Sequence, residues 1–416
     1  MSSQGPLRRY FDNAATSFPK PPAVAAAMLR YMNEVGAAGR GAYAEARQGA
    51  AVLQRCRERI ARLVGSDSPE RVVFTHNATD ALNLAIKGSA RAFAQRTGKR
   101  PHAIVTNMEH NSVLRPCNEL ARDGLLELSI INANPSTGVV DPDDLLSQVR
   151  PGCTAFVAIN HASNVTGSLQ NIAAIGAGVR ARGNDADRPL FIVDASQSLG
   201  HIRVNAREAH IDLLAFPGHK GLLGPTGTGA LVIGRGVENR LATVREGGTG
   251  SVSEQDTHPA MLPEKYEAGS HNIVGIAGLS EGVAYLLERG VDDIRAHEAA
   301  LLAHLLEALH AMRADGVRVL GDAPVAQRVG VVSFTHREYS PAELAAILES
   351  EFGILTRAGL HCAPLVHRAL GTSPDCALPG QGAVRLSLGP FLNADDVRAA
   401  AAAIESACGV SDAAGA

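Results

Sequence analysis

Forty-five per cent of the 416 residues are hydrophobic, 19% are charged and the formal net charge is −3, a balance that suits a water-exposed globular chain. Near-neutral charge, with no basic run interleaved with aromatics, excludes a nucleic-acid partner, and apolar runs well short of ~20 residues exclude a membrane-spanning helix. The opening "MSSQGPLRRYFDNAATSF" has no apolar signal core, so a cytoplasmic location is expected.

Short β-branched runs alternate with longer amphipathic stretches through the first two-thirds of the chain. Strands are expected at 71–76, 103–108, 126–131, 155–160, 190–196, 212–216 and 229–234. Between them lie helical patterns such as "DALNLAIKGSARAFAQR" (80–96) and "NIAAIGAGVRAR" (171–182). Continuous apolar strands alternating with helices predict an α/β fold with a mostly parallel seven-stranded sheet, covered on both faces. The pattern changes after about residue 284. A long helix (295–314), a strand (328–336), a Ser-capped helix (340–353), a further strand (383–389) and a capped helix (393–407) predict a smaller α+β C-terminal domain. The division expected is 1–15 as an N-terminal segment packing with the small domain, 16–284 as the large domain and 285–416 as the small one. The tail "GVSDAAGA" is expected to fray.

In an open α/β sheet, ligands sit beyond the carboxyl ends of the strands. Those ends read "HNATDALNL" (76–84), "EHNSVLRP" (109–116), "HASNVTG" (161–167), "DASQSLG" (194–200) and "PGHK" (217–220). Singly each is weak: Asp194 reads equally as a helix N-cap, His110 as a satisfied surface histidine, Asn164 as a turn residue and Lys220 as a solvated cation. Together they bring a carboxylate, imidazoles, amides, hydroxyls and a lysine to one rim. A lysine at the exit of a buried strand needs a partner, a route to solvent or a covalent role.

Spacing rejects two ligands. A nucleotide phosphate loop needs Gly-Lys-Ser/Thr, but His219 precedes Lys220 and Gly221 follows it. A dinucleotide fingerprint leads into a helix, whereas "GPTGTGALVIG" leads into a strand. His110, His161 and His219 share no metal-binding helical spacing, so no metal is expected. Pyridoxal phosphate fits the set: its phosphate needs a helix N-terminus and hydroxyls, its pyridine nitrogen a carboxylate, and its aldehyde a lysine.

Ten segments in order carry a resemblance over nearly the whole chain: "FDNAATSFPKP", "GRGAY", "THNATDALNLA", "EHNSVLRP", "NHASNVTG", "DASQSLG", "FPGHKGLLGPTGTG", "YEAGSHN", "RAGLHCAP" and "VRLSLGPFLN". The chain resembles the class V aminotransferase group of fold-type I pyridoxal-phosphate enzymes, in its cysteine desulfurase and selenocysteine lyase branch. The resemblance implies Lys220 as the Schiff-base lysine, Asp194 on the pyridine nitrogen and His110 stacked on the ring. It also implies Asn164 and Gln197 on the phenolic oxygen, with Ala78, Thr79 and His219 on the phosphate. Ser270 would reach the phosphate of the other subunit of a homodimer. Arg385 would bind the substrate carboxylate, with Arg357 and Ala15 beside the substrate. Two segments depart from the pattern: Pro217 stands where many desulfurases have Ser, which removes one phosphate hydroxyl, and "EAGSHN" replaces "EAGTPN".

Six scattered cysteines (Cys56, Cys117, Cys153, Cys362, Cys376, Cys408) form no Cys-x-x-Cys pair, so five read as ordinary core or surface residues. Cys362 reads either as a buried thiol at a helix start or as a nucleophile activated by that helix end, His361 and Arg357. The resemblance favours the nucleophile, a sulfur acceptor that would carry a persulfide while L-cysteine becomes L-alanine, with His110 as acid/base. The loop reads as about eight residues, with little reach, so an activating sulfur-acceptor protein is expected. Rival readings are selenocysteine lyase, β-elimination to pyruvate, transamination or epimerisation on the same scaffold, and a non-enzymatic cofactor binder. Lys220, Asp194 and Arg385 argue against the last.

Overall fold

The computed structural model describes residues 6–37, 41–251, 254–374 and 378–409. A short strand β1 (Arg9–Tyr10) and helices α1 (Pro22–Arg30) and α2 (Ala44–Val64) come first. The alternating region follows as β2 (Val72–Thr75), α3 (Ala78–Thr97), β3 (His102–Thr106), α4 (Asn111–Arg122), β4 (Glu127–Ile131), α5 (Pro142–Ser147), β5 (Thr154–Asn160), α6 (Ile172–Arg180), β6 (Leu190–Asp194), β7 (Leu213–Pro217) and β8 (Gly229–Ile233). Strands β2–β8 make one seven-stranded sheet in the order β2-β8-β7-β6-β5-β3-β4. Pairs from β4 through β7 are parallel, while β8 is antiparallel to both β7 and β2. The reversal at β8 follows from the glycine-rich segment 218–228, which holds no crossover helix.

Every residue of β3, β5, β6, β7 and β8 is buried, as apolar strands sandwiched between helices must be. Alternate side chains feed two cores. One face packs Val72, Ile104, Val157 and Val193 against α2 and α6. The other packs Val73, Val105, Phe156 and Ile192 against α3 and α4.

The C-terminal part contains α7 (Ile273–Arg289), α8 (Val291–Ala311), β9 (Val317–Val319), β10 (Val331–His336), α9 (Pro341–Phe352), β11 (Ile354–Leu355), β12 (Arg357–Gly359), α10 (Pro364–Ala369), β13 (Ala383–Ser387) and α11 (Ala394–Gly409). An antiparallel sheet, β12-β13-β10-β9, shares one core with α8, α9 and α11. Helix α9 opens on the expected cap, a reciprocal Ser340–Glu343 box, and closes on Gly353 in the left-handed region. Helix α8 starts earlier than the periodicity at 295–314 suggests, because Asp292 and Asp293 occupy its first turn, where the helix dipole favours carboxylates. Residue 284 falls inside α7, which runs unbroken to Arg289. Strand β1 pairs in parallel with β11, so the first described residues lie against the C-terminal part.

One buried ion pair anchors α2 to the sheet edge. Arg57 from α2 grips Glu267 with two bonds of 2.8 and 2.6 Å and lies over the Phe74 ring. Glu267 also accepts the Phe74 amide at 2.6 Å and His271 at 3.0 Å. Glu267→Ala would leave a buried guanidinium without a counter-charge, so a loss of ~3–5 kcal/mol is expected, read as a lowered urea midpoint.

Candidate functional site

Five strand ends, after β2, β3, β5, β6 and β7, open onto one cavity of about 190 Å³. They are the five singled out in the sequence. The end of β2 contributes Asn77, Ala78 and Thr79, where the Asn77 side chain accepts the Asp80 amide at 2.9 Å and caps α3. Here the first-turn amides of a 20-residue helix face the cavity, an anion-binding arrangement.

The end of β3 contributes His110 and Ser112. His110 is the N-cap of α4: its Nδ1 accepts the Ser112 amide at 3.0 Å and lies 2.8 Å from the Ser112 hydroxyl. Burial holds the imidazole down at about 4, against the pull of the Asp194 carboxylate. The ring is therefore neutral at pH 7, with its proton on Nε2.

From β6 come Asp194, Ser196 and Gln197. The Asp194 carboxylate accepts the Ser196 amide at 2.9 Å and the Ser196 hydroxyl, so it closes a turn rather than capping a helix. Gln197 donates to the Ala14 carbonyl at 3.0 Å, and Asn164 donates to the His361 carbonyl at 2.6 Å. Four polar atoms around this region, Asn160 Oδ1, Asn164 Oδ1, His219 Nδ1 and Arg385 Nε, are buried without a hydrogen-bond partner.

Pro217, His219 and Lys220 leave β7. Burial pulls the Lys220 ammonium down to about 8, with the Asp194 carboxylate opposing. Burial likewise holds His219 at about 4, helped by the Lys220 charge. The peptide around Lys220 is pinned from the N-terminal segment: Lys20 donates to the His219 carbonyl at 2.8 Å and Ser17 to the Lys220 carbonyl at 2.9 Å. The neighbouring glycines are required by close approach. A Cβ on Gly218 would stand 2.1 Å from Thr228 Oγ1, and one on Gly221 only 2.2 Å from the Leu199 carbonyl oxygen.

The C-terminal sheet brings the cations. Arg385 and Arg357 are cross-strand partners on β13 and β12. Arg385 is 1% exposed, donating to Asp12 at 2.7 Å and to the Asn164 carbonyl at 3.2 Å. Ala15 lies in the turn that Asp12 opens, its amide 3.1 Å from the Asp12 carbonyl.

Cys362 is exposed, with Arg357 Nη2 3.9 Å from its sulfur. Three expectations about it need correction. The loop from β12 to α10 is four residues (360–363), because Arg357–Gly359, next after the β11 segment that pairs with β1, forms a strand of its own, β12, paired with β13. Helix α10 has six residues and starts two positions beyond Cys362. His361 adds no positive charge, since burial, reinforced by Arg385, holds it at about 2. Cys56, Cys117 and Cys408 are buried and Cys153 is half-buried, while Cys376 and the tail beyond Gly409 lie outside the described residues, as does part of "GRGAY".

Ser270 does not join the cavity. It lines a separate cleft with Arg245, Glu267 and His271. Two side chains escaped notice in the sequence. Asp12 sits inside a quoted motif, but its pairing with Arg385 spans the whole chain. Glu109 was overshadowed by His110: it is fully buried, accepting the Thr106 hydroxyl at 2.6 Å and the Asn160 amide at 2.8 Å. It thereby ties the end of β3 to the end of β5 beneath the cavity. Among the described residues no group of three or more His, Cys, Asp or Glu side chains could hold a metal ion.

The aminotransferase class-V family model matches residues 9–399. A probable cysteine desulfurase of Methanothermobacter thermautotrophicus is 33% identical over 407 residues, covering 96% of this chain and 95% of its own. The cysteine desulfurase IscS of Vibrio atlanticus is 33% identical, covering 95% and 91%. The apo structure of a cysteine desulfurase from Thermococcus onnurineus superposes with a TM-score of 0.85 at 32% identity, covering 95% and 94%.

Burial pushes the Glu109 carboxyl up to about 8, with the Asp194 charge adding to the rise against the bonds from Thr106 and Asn160. The folded chain thus holds a proton that the unfolded chain releases near 4.5. Stability from this group is complete below that value and is lost as pH climbs toward 8. Glu109→Gln removes the dependence, so the variant's Tm relative to the unaltered protein should rise across that interval in a pH series of melting curves.

Proposed function

Because the chain belongs to the class-V aminotransferase family, we propose that it is a pyridoxal-phosphate-dependent cysteine desulfurase, converting L-cysteine to L-alanine and leaving a persulfide on Cys362. The observation that carries this is one cavity uniting Lys220, Asp194 and His110 with polar atoms that lack protein partners. Such orphan atoms are costly in a dry site and are satisfied by a bound polar group. The residues fit the cofactor. Ala78, Thr79 and His219 would hold its phosphate, Asn164 and Gln197 its phenolic oxygen, Asp194 its pyridine nitrogen and Lys220 its aldehyde. The Pro217 ring offers the phosphate no hydroxyl, so the α3 amides, the Thr79 hydroxyl and His219 would hold it. When bound, the cofactor supplies an electron sink for the pair left at the substrate Cα.

The chain's own groups do the rest. Lys220, an amine that loses its proton near pH 8, is suited to remove the Cα proton. Asp194, fixed by Ser196, would hold a proton on the ring nitrogen. His110, fixed by Ser112, would cover the ring and move a proton through Nε2. Arg385 would exchange Asp12 for the substrate carboxylate, with Arg357 and Ala15 beside it. The Cys362 thiolate would attack the substrate sulfur: an S–S bond forms, the Cβ–S bond breaks, and the carbon fragment leaves as alanine.

The proposal extends to a cytoplasmic homodimer, in which Ser270 completes the phosphate site across the subunit boundary, and to a sulfur acceptor. Its supports are the family's pattern at Ser270 and the position of that residue on a separate cleft. Among the described residues no helix is long and apolar enough to cross a membrane. The proposed division keeps 1–15 with the small domain, supported by the β1–β11 pairing.

Incubation with L-cysteine should yield alanine, with turnover lost in Cys362→Ala and the cofactor's visible absorbance changed in Lys220→Ala. Pyruvate from both the unaltered protein and Cys362→Ala would make the protein an eliminating lyase. His110→Ala is expected to lower kcat by ~10²–10⁴-fold, the range for losing an acid/base group, read in the same alanine assay.

A further inference from the structure

We propose that the open groove between α3 and α4 is a second-substrate site, taking a small thiol that carries carboxylates and accepts the outer sulfur of Cys362. The proposal rests on the persulfide reading above. The groove measures about 360 Å³, in the range of small-molecule sites, and Asn83 and Lys87 of α3, Asn111, Arg115 and Glu119 of α4, and Cys362 line it. Cys362 borders this groove and not the inner cavity, whereas Thr79, His110 and Ser112 border both. The two spaces therefore adjoin at those three side chains, beside Cys362.

The backbone is held to keep it there. His361 and Cys362 are consecutive non-glycine residues in the left-handed region, at φ +50° and +58°. Such residues are strained and persist where surrounding contacts impose them. Those contacts are present: the Asn111 amide, at the first turn of α4, donates to the Cys362 carbonyl at 2.8 Å, and Asn164 donates to that of His361 at 2.6 Å. A four-residue loop docked in this way cannot carry sulfur outward, so the acceptor comes to it.

Charge selects the acceptor. Lys87 and Arg115 have no hydrogen-bond or ion-pair partner among the described residues, while Glu119 is engaged by Arg122. Two uncompensated cations flanking a sulfur donor favour carboxylates on the incoming thiol. In the transfer, the acceptor thiolate attacks the outer persulfide sulfur and forms a new S–S bond. The bond from that sulfur to Cys362 Sγ breaks, and its electron pair returns Cys362 to thiolate. One thiolate enters and one leaves, with no oxidant needed.

The test loads the full-length holoenzyme with L-cysteine, counts the Cys362 persulfide by mass spectrometry, and follows its discharge in single turnover. Mercaptosuccinate, mercaptoethanol and cysteamine are compared at equal thiolate concentration. Mercaptosuccinate should discharge the persulfide ~10-fold faster than mercaptoethanol at low salt, with cysteamine slowest. The advantage should shrink in high salt and vanish in Lys87→Glu, and again in Arg115→Gln, with rates taken per loaded site. Equal rates for the three thiols, or an advantage unchanged in both variants, overturn the groove assignment while leaving the desulfurase reading intact. No persulfide on Cys362 overturns that reading and the groove proposal with it.

Discussion

In bulk water a lysine amine keeps its proton to about 10.5. The site is organised around taking the Lys220 nitrogen out of water without stranding it. Placing it at the end of the fully buried β7 supplies the desolvation, and Asp194, at the end of the adjacent β6, limits it. A lysine with no carboxylate nearby would fall further, and one in a full ion pair would stay charged. The intermediate position needs both groups fixed, which explains why the Lys220 peptide is held by Lys20 and Ser17 and why glycines at 218 and 221 let backbone close around it.

The same constraint governs the neighbours. Parallel strands place their carboxyl ends on one edge, so the groups after β2, β3, β5, β6 and β7 meet whatever their separation in sequence. Histidines gathered there are held neutral by burial, at about 4 for His110 and for His219. Positive charge enters chiefly from outside the large sheet, through Arg385 and Arg357 on the C-terminal sheet, and is partly cancelled by Asp12. The candidate site is thus assembled from two sheets and from the segment that carries Asp12, Ser17 and Lys20.

Much of this was legible beforehand because strand–helix alternation dictates which chain segments reach the rim. The seven strands, the capped helix at Ser340 and the convergence of Ala78, His110, Asn164, Asp194 and Lys220 all follow from local pattern. What local pattern could not show was long-range pairing. The loop ahead of α10 looks about eight residues long, yet pairing of Arg357–Gly359 with β13 takes three of them into a strand. His361 looks like a cation beside Cys362 until its burial is known. Asp12 and Arg385 lie at opposite ends of the sequence, and nothing local in "EHNSVLRP" sets Glu109 apart beside a more conspicuous histidine. In each case tertiary burial, not propensity, decided the outcome.

The pairing of β1 with β11 bears on how the molecule is made. Arg9 and Tyr10 leave the ribosome about 345 residues ahead of their partners Ile354 and Leu355. At ~5–20 residues per second, the N-terminal segment waits on the order of 20–70 s before its strand can form. Asp12, two residues on, waits longer still for Arg385. The large sheet can close during this interval, so the polypeptide completes the candidate site only after that sheet is in place.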